Sequence, residues 1–314
     1  MQVGLMFPPS HDPAEAGPLA RRAERQGFDF FACGEHVFFH CPVPNAFVTL
    51  AAAAGATERI RLLSAVTILP MYPAALAAKM VATLDRVSSG RFDLGVGVGG
   101  EYPAEFEAVG IPVAERGKRA DKALELFERL FVGDPVSFDD RSSTVGAQQL
   151  DPLPIQRPRP PVWIGGRRRL AAMRRAGRYG DVWMPYLVTP RMLAEGLTRV
   201  REFAVGHRRG ESAVRGAVYC WSAVDADANW ARQTAIETVS RIYRQDFTEL
   251  ADSYLLIGGP QQVIDRLGQF AEAGATSVLF APACPDSELA RVIDTFVADV
   301  MPALRGLGQG VSNG

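Results

Sequence analysis

The sequence predicts an α/β protein, a single (β/α)8 TIM barrel with an irregular insertion after its fourth helix. Eight short apolar segments have the composition of buried strands, and each is followed by at least one helical pattern. The length of 314 residues and the apolar fraction of 47% suit one large barrel domain. A doubly wound open sheet is the alternative, but it would need G-x-G-x-x-G after the first strand, where Pro8-Pro9-Ser10 stands.

The first half of the chain supplies four strands with helices between them. Asp12 followed by Pro13 is typical of a helix start, because the aspartate can cap a free N–H and proline fits the first position. A second helix begins at Asn45 and ends near Thr57, and a third ends at Val87. The predicted strands are Val3–Phe7, Phe28–Cys33, Ile60–Leu69 and Phe92–Val98.

The second half contains the other four strands and the insertion. Residues 134–161 carry six prolines and predict an irregular excursion, long enough to act as a lid or a contact surface. The domain is expected to span residues 1–305, with a disordered tail over 306–314. The predicted strands are Val162–Ile164, Asp181–Met184, Gly216–Val224 and Ser277–Ala281.

Charge and composition exclude several classes of protein. The net charge is −1, and no block of like charges suggests binding to nucleic acid or to an anionic membrane. Four cysteines without C-x-x-C spacing and only four histidines argue against a metal site. No signal peptide and no run of membrane-spanning length is evident, so we expect a cytoplasmic protein with reduced thiols.

The predicted fold places the functional site at the carboxyl ends of the strands. Glycines at 95, 97, 99 and 100 remove side chains at the end of the fourth strand, so that a ligand could lie against bare backbone; the alternative is that they serve only tight packing between strand and helix. Glu101 and Tyr102 follow as the first polar groups. The strand ends hold few ionisable residues, which favours a flat conjugated ligand over a sugar or an amino acid.

Two further features of the strand ends indicate function. Gly165-Gly166 ends the fifth strand and opens an arginine-rich helix, an arrangement that can bind an anion. The alternative is that these arginines form a solvated face of an outer helix. His36 lies just after the second strand, which favours a functional histidine over a structural one.

Several motifs in this order resemble the bacterial luciferase-like superfamily of flavin- and deazaflavin-dependent oxidoreductases. The similarity covers nearly the whole chain, and the order of the motifs makes it specific. They are RIRLLSAVTILP (59–70), LDRVSSGRF (84–92), GVGVGGEYPAEFEAVG (95–110), AERG (114–117), RPRPPVWIGG (157–166), DVWMP (181–185) and LIGGPQQVIDRLGQFAEAGA (256–275).

The resemblance is strongest to the branch that uses coenzyme F420, and it implies roles for particular residues. His36, in GEHVF, would move a proton while hydride passes to or from the deazaflavin, and Glu101 would be a second acid or base. The cofactor phosphate would lie on the backbone at Gly165, Gly166 and Arg167. A non-proline cis peptide is implied at Ala65–Val66. The implied cofactor contacts are Ala65, Val66, Thr67, Gly97, Gly99, Gly100, Gly165, Gly166 and Arg167.

The chain departs from that branch at the substrate side. His40 stands where F420 enzymes that oxidise sugar phosphates or alcohols often have tryptophan, and Ala281–Cys284 offers no cation for a sugar phosphate. The expected substrate is therefore a small, largely apolar or conjugated organic molecule. The alternatives are an FMNH2-dependent monooxygenase fed by a separate reductase, and a non-catalytic flavin-binding relative, against which His36 and Glu101 argue. The resemblance also implies a homodimer.

Overall fold

The structure, a computed structural model, describes residues 1–140 and 143–306. Eight parallel strands form a closed barrel in which spatial order follows chain order, and β1 completes the ring by pairing with β8 as well as β2. The predicted (β/α)8 barrel is therefore confirmed. The strands are β1 (Gln2–Met6), β2 (Phe30–Cys33), β3 (Arg61–Ser64), β4 (Phe92–Gly97), β5 (Val162–Gly165), β6 (Val182–Met184), β7 (Arg215–Val224) and β8 (Ala275–Pro282).

Helices cover the outside of the barrel. The Asp12 carboxylate accepts the Ala14 N–H at 2.9 Å, and the Asn45 side chain accepts the Val48 N–H at 3.1 Å, so both predicted helix starts are capped. A π-helical turn, Phe296–Val300, joins the last two helices. Within the described residues the helices are α1 (Ala16–Arg25), α2 (Ala46–Ala56), α3 (Ala74–Val87), α4 (Pro103–Ala108), α5 (Arg116–Leu130), α6 (Leu170–Tyr179), α7 (Pro190–Gly206), α8 (Ala228–Tyr243), α9 (Ala251–Tyr254), α10 (Pro260–Glu272), α11 (Leu289–Thr295) and α12 (Met301–Gly306).

The third strand is interrupted where the sequence predicts one continuous strand over Ile60–Leu69. β3 ends at Ser64, the Ala65–Val66 peptide is cis, and Thr67–Ile68 forms a separate short strand beside β4. The expected non-proline cis peptide is thus present. The break moves Val66 out of the strand line and towards the ends of β4 and β5.

Three other details correct the sequence prediction. The insertion at 134–161 is only partly irregular, because Val136–Asp140 and Ser143–Gln148 pair as an antiparallel hairpin. Leu256–Gly258 adds a short parallel strand beside the end of β7. The last helix runs through Gly306, so the predicted tail starts one residue too early, and its remaining residues, 307–314, lie outside the described part of the chain.

Two apolar cores hold the barrel. One lies between the strands and the helices, and the other fills the barrel with Phe30, Leu63 and Trp163 among its members. The buried Asp93 carboxylate near the amino end of β4 accepts the Trp163 Nε1–H at 2.9 Å and pairs with Arg61. A fully packed interior leaves the carboxyl ends of the strands as the open face of the barrel.

Across residues 1–140 and 143–306, no helix is both long enough and apolar enough to cross a membrane.

Candidate functional site

A histidine and a buried glutamate meet at the carboxyl ends of β2 and β4. His36 Nδ1 lies 3.1 Å from Glu105 Oε2, and the Val37 N–H donates to the same oxygen over 3.2 Å. The Glu105 side chain is fully buried, whereas 20% of the His36 side chain is exposed. Because a carboxylate only accepts hydrogen bonds, Nδ1 carries the proton, and Nε2 is the position that can exchange a proton with a ligand.

The glutamate beside His36 is not Glu101, which the sequence suggested as a second acid or base. Glu101, the predicted second acid or base, is exposed and bonds instead to the hydroxyl of Tyr186. Glu105 lies four residues further on, inside the short helix α4, and its side chain turns back towards His36. The structure therefore assigns the histidine's partner to Glu105.

Phe39 lies directly against His36. Its ring stacks on the His36 imidazole, with 4.2 Å between the centroids and 17° between the planes. Phe39 also packs on the apolar cluster that fills the barrel, so the segment after β2 folds over the barrel mouth. On its outer side the same segment, together with Pro9, His11 and Pro13, borders a groove of about 480 Å³ that reaches His36.

Glu35, next to His36, points into the protein and fixes the segment after β3. Its carboxylate accepts the N–H groups of Ile68 at 2.9 Å and Ala46 at 3.2 Å, the Asn45 amide at 3.2 Å and the Tyr72 hydroxyl at 2.9 Å. Burial raises the pKa of Glu35 although these donors act in the opposite direction. The carboxylate is a structural link between the loops after β2 and β3, and it orients its neighbour His36.

The space beside the glycines at the ends of β4 and β5 is filled by the protein itself. A Cβ added at Gly97 would lie 2.3 Å from Val66 Cγ2, and one added at Gly165 would lie 2.6 Å from Val66 Cγ1. The Val66 side chain occupies the space beside both glycines. Both glycines permit this close packing, and their contact with a cofactor stays a prediction.

Gly99 and Gly100 serve the turn after β4. Their φ angles are 58° and 99°, which favour glycine. The Cβ positions are again occupied, at 2.8 Å from Ile68 Cγ2 for Gly99 and at 2.6 Å from Arg116 Nε for Gly100. These residues form a turn that reverses the chain into α4, and their contact with a cofactor stays a prediction.

The end of β5 does leave room for an anion. A Cβ at Gly166 would meet only Ala172 Cβ at 3.6 Å, and φ at Gly166 is 127°. Among the described residues, no acceptor bonds to the N–H groups of Gly166, Arg167 or Arg168, which precede α6. Free N–H groups beside a helix start and adjacent guanidinium groups fit a phosphate.

Arg167 is tied into the mouth of the barrel, while other arginines nearby are paired elsewhere. The Arg167 guanidinium lies over the Tyr186 ring, 5.3 Å from its centroid, and the Tyr186 hydroxyl donates to Glu101. Arg168 pairs with Glu195 on α7 at 2.9 Å. Within the arginine-rich segment, Arg167 thus lies at the mouth of the barrel and Arg168 on the outer surface.

The remaining predicted contacts lie at the break in β3. Ala65 and Val66 are half-buried and pack against the cluster inside the barrel. Thr67 is buried, and its hydroxyl has no partner among the residues described. Over residues 1–140 and 143–306, no group of histidine, cysteine and carboxylate side chains could hold a metal ion.

Sequence reasoning missed Glu105, Phe39 and Tyr186. The signal for Glu105 was present, since it stands in a short helical segment beside the buried Phe106. Nothing in the sequence showed that Phe39 would stack on the histidine. The bond between Tyr186 and Glu101 depends on the relative positions of β4 and β6, which the sequence does not give.

Comparison with known proteins identifies the family. Residues 1–277 match the model of the luciferase-like monooxygenase family. The chain is 27% identical over 327 residues to the F420-dependent glucose-6-phosphate dehydrogenase of Nocardia farcinica, covering 94% of this chain and 95% of that protein. It is also 33% identical over 173 residues to the FMNH2-dependent dimethylsulfone monooxygenase of Pseudomonas putida, covering 52% and 46% of the two chains.

Other relatives match over a shorter region or in fold alone. An uncharacterised protein of Mycobacterium tuberculosis is 36% identical over 143 residues, 46% of this chain and only 48% of that protein. The crystal structure of the monooxygenase RslO1 from Streptomyces bottropensis has a TM-score of 0.83 at 24% identity, over 97% of this chain and 100% of that chain. An F420-dependent secondary alcohol dehydrogenase has a TM-score of 0.81 at 24% identity, over 97% and 99%. These two likenesses support the barrel fold, and the family model, which matches residues 1–277, shows that this chain belongs to the luciferase-like monooxygenase family.

Proposed function

We propose that the protein is an oxidoreductase that uses coenzyme F420 for hydride transfer to or from a small, uncharged organic substrate. The observation that carries the proposal is the His36–Glu105 pair at the open end of the barrel. A carboxylate that orients one imidazole nitrogen and leaves the other free is the usual arrangement of a proton-transfer group. Hydride transfer to a carbonyl or conjugated carbon requires such a proton in the same turnover.

The residues present fit the cofactor. Gly166, Arg167 and Arg168 would hold the phosphate through their free N–H groups and the Arg167 guanidinium. Val66, locked between the ends of β4 and β5, would support the ring. Bound F420 would supply the carbon that gives or accepts hydride. His36 would hold or move the proton at Nε2, with Glu105 as the positioning residue.

The relative that aligns with nearly the whole chain supports F420 as the cofactor. The segment after β8 argues against a sugar phosphate as the substrate. The Nocardia protein is named for F420 and aligns with nearly the whole chain. The segment after β8 contains no lysine or arginine over Ala281–Cys284, so a sugar phosphate would find no cation there. The aromatic and apolar side chains of the barrel mouth favour an uncharged conjugated substrate.

An FMNH2-dependent monooxygenase is the second candidate. It is favoured by the stretch that is 33% identical to the dimethylsulfone monooxygenase, which is more similar locally than the F420 enzyme. In that case the same anion site would hold the FMN phosphate, and a separate reductase would deliver the reduced cofactor. His36 would then exchange its proton with an oxygenated product and not with a product of hydride transfer.

Cofactor titration separates the two candidates. We expect purified protein to bind F420 more tightly than FMN, measured by quenching of each cofactor's fluorescence. Micromolar binding of FMN with none of F420 would overturn the leading proposal and favour the second. Binding of neither, by a folded protein, would contradict both.

Substitutions at the end of β5 test the phosphate site. Arg167→Gln should weaken binding of the preferred cofactor by about tenfold, whereas Arg191→Gln, on the exposed surface of α7, should leave it unchanged. Gly166→Val should abolish binding and also lower stability, because φ at this residue is 127°. Unchanged affinity in Arg167→Gln would place the phosphate elsewhere.

A further inference from the structure

One wall of the barrel mouth consists of aromatic side chains in contact with each other. Tyr219 and Trp221, two residues apart on β7, both face the barrel interior, with 5.6 Å between their centroids. Trp221 meets Tyr243 at the end of α8 at 6.3 Å, and Tyr243 meets Phe39 at 6.2 Å. Phe39 reaches Tyr102, after β4, at 6.5 Å. Four different elements thus contribute to one continuous aromatic wall.

The phenol groups of this wall have protons that no described residue accepts. Tyr243 accepts a hydrogen bond from Trp221 Nε1 at 3.2 Å, but its own hydroxyl proton has no acceptor among the residues described. The same is true, within residues 1–140 and 143–306, of the hydroxyls of Tyr102 and Tyr219. The three side chains are half-buried, so these hydroxyls are open to a ligand that brings acceptors.

Tyr219 and Tyr243 act as donors and not as anions at neutral pH. Burial raises the pKa of both; at Tyr243 the Glu101 carboxylate raises the pKa further, against the hydrogen bond from Trp221 and the charge of Arg167. A ligand that offered only donors, such as an amine or an ammonium group, would therefore leave the hydroxyl protons unpaired.

Two opposite charges act on Tyr243. Glu101 and Arg167 face each other across Tyr186, one through its hydroxyl and the other over its ring. A charged substrate at the wall would compete with this arrangement. The chemistry of the wall is therefore that of flat apolar surfaces and hydrogen-bond donors.

We propose that Tyr102, Tyr219 and Tyr243, with Phe39 and Trp221, form the substrate subsite, and that it binds an uncharged planar compound with conjugated carbonyl oxygens, of the quinone class. The aromatic faces stack on the ring, and the phenol hydroxyls donate to the carbonyl oxygens. The inference rests on the proposed function for its position beside the cofactor, but the binding chemistry stands on the wall itself.

Duroquinone and durene test this assignment. They share the same tetramethylated ring, and only duroquinone has carbonyl oxygens; it also has no free ring position for a thiol to attack. Isothermal titration calorimetry, with and without the cofactor that the protein binds, should show duroquinone binding at least tenfold more tightly than durene. Anthraquinone sulfonate, planar but charged, should bind more weakly than duroquinone. Equal affinities for duroquinone and durene would overturn the proposal.

Conservative variants locate the donors. Tyr219→Phe and Tyr243→Phe should each weaken duroquinone binding about 3- to 10-fold and leave durene binding unchanged, because each removes one donated hydrogen bond and keeps the ring. Tyr179→Phe is the matched control, since its buried unpaired hydroxyl lies on the outer wall of the barrel. A loss of affinity for both ligands, or for neither, in the two wall variants would contradict the assignment.

The two proposals fail separately. Duroquinone binding without binding of F420 would remove the proposed function and keep this inference. F420 binding together with equal affinity for duroquinone and durene would keep the function and remove the inference.

Discussion

The two sides of the barrel mouth differ in whether their polar groups find hydrogen-bond partners within the protein. On the side of β2 to β4, the two buried carboxylates are satisfied within the protein: Glu35 accepts four hydrogen bonds, and Glu105 accepts two from His36 and Val37. On the side of β7 and α8, the phenol protons of Tyr219 and Tyr243 have no acceptor among the described residues. The two carboxylates are thus paired before a ligand binds, whereas these phenol protons are not.

The difference shows which part of the site is preorganised for chemistry. A proton-transfer group must be held in one geometry before substrate arrives, and the Glu35 and Glu105 contacts do this for His36. Hydrogen-bond donors that remain available to a ligand instead provide selectivity, because only a ligand with acceptors at matching positions can pair with them. We therefore expect substitutions on the first side to affect turnover and stability, and substitutions on the second to affect substrate choice.

The largest expected effect is on turnover in His36→Asn. Loss of the proton-transfer group should lower kcat by about 10²- to 10⁴-fold while cofactor affinity stays within a few-fold. Oxidation of reduced F420 by an acceptor such as duroquinone provides the assay. His207→Asn, at the end of α7, is the control and should keep full activity. A folded His36→Asn enzyme with unchanged kcat would reduce His36 to a packing residue.

Glu35→Ala should give the largest loss of stability. It leaves the buried N–H groups of Ile68 and Ala46 without an acceptor, and it should lower the free energy of unfolding by about 3–5 kcal/mol. Urea titration measures the change. Glu249→Ala, at an exposed position, should stay within about 0.5 kcal/mol of wild type. Similar stabilities for the two variants would show that the link between the loops contributes little.

Gly97→Ala tests how tightly the first side is packed. The new methyl would overlap the Val66 side chain, so we expect a loss of about 1–3 kcal/mol in the free energy of unfolding. Removing the obstacle in Gly97→Ala/Val66→Ala should recover part of that loss, with a coupling of about 0.5–3 kcal/mol between the two sites. Strictly additive effects would mean that the chain relaxes around the new methyl by another route.

The smallest effect is on the pH dependence of stability. Because the pKa of Glu35 is raised in the folded state, the folded protein binds this proton more tightly than the unfolded chain does. Stability relative to Glu35→Gln should therefore fall as pH rises from the usual carboxyl range through the raised pKa. Urea titrations of both proteins across this range measure the difference. A difference that grows with pH would reverse the sign assigned to Glu35.

The strands of the barrel could be predicted because their information is local. Each barrel strand is a short apolar run, and all eight are observed near the expected positions. The break in β3 came instead from the family resemblance, since the residues around Ala65 read as a continuous strand. The homodimer, the cytoplasmic location and the need for a reductase stay predictions.

The site was harder to predict because it depends on turns and on close packing. Gly99 and Gly100 have positive φ angles, so the chain reverses before α4, and Glu101 points to Tyr186 while Glu105 returns to His36. A spacing of four residues along the sequence cannot distinguish these two outcomes without the turn geometry. The glycine run likewise shows that something approaches the backbone, but not that the approaching group is the chain's own Val66.

The position of β8 between β1 and β7 has a consequence for how the protein is made. Residues 275–282 pair with both β1 and β7. The strand β1 therefore lacks its second partner until almost the whole chain has been synthesised. Until then β1 and β7 present unpaired edges, which are surfaces for association with other chains. Closure of the ring joins contacts of very large sequence separation, which slows folding. A chain that stops before residue 275 would keep both edges open, so we expect it to aggregate during synthesis even though seven strands of the barrel are present.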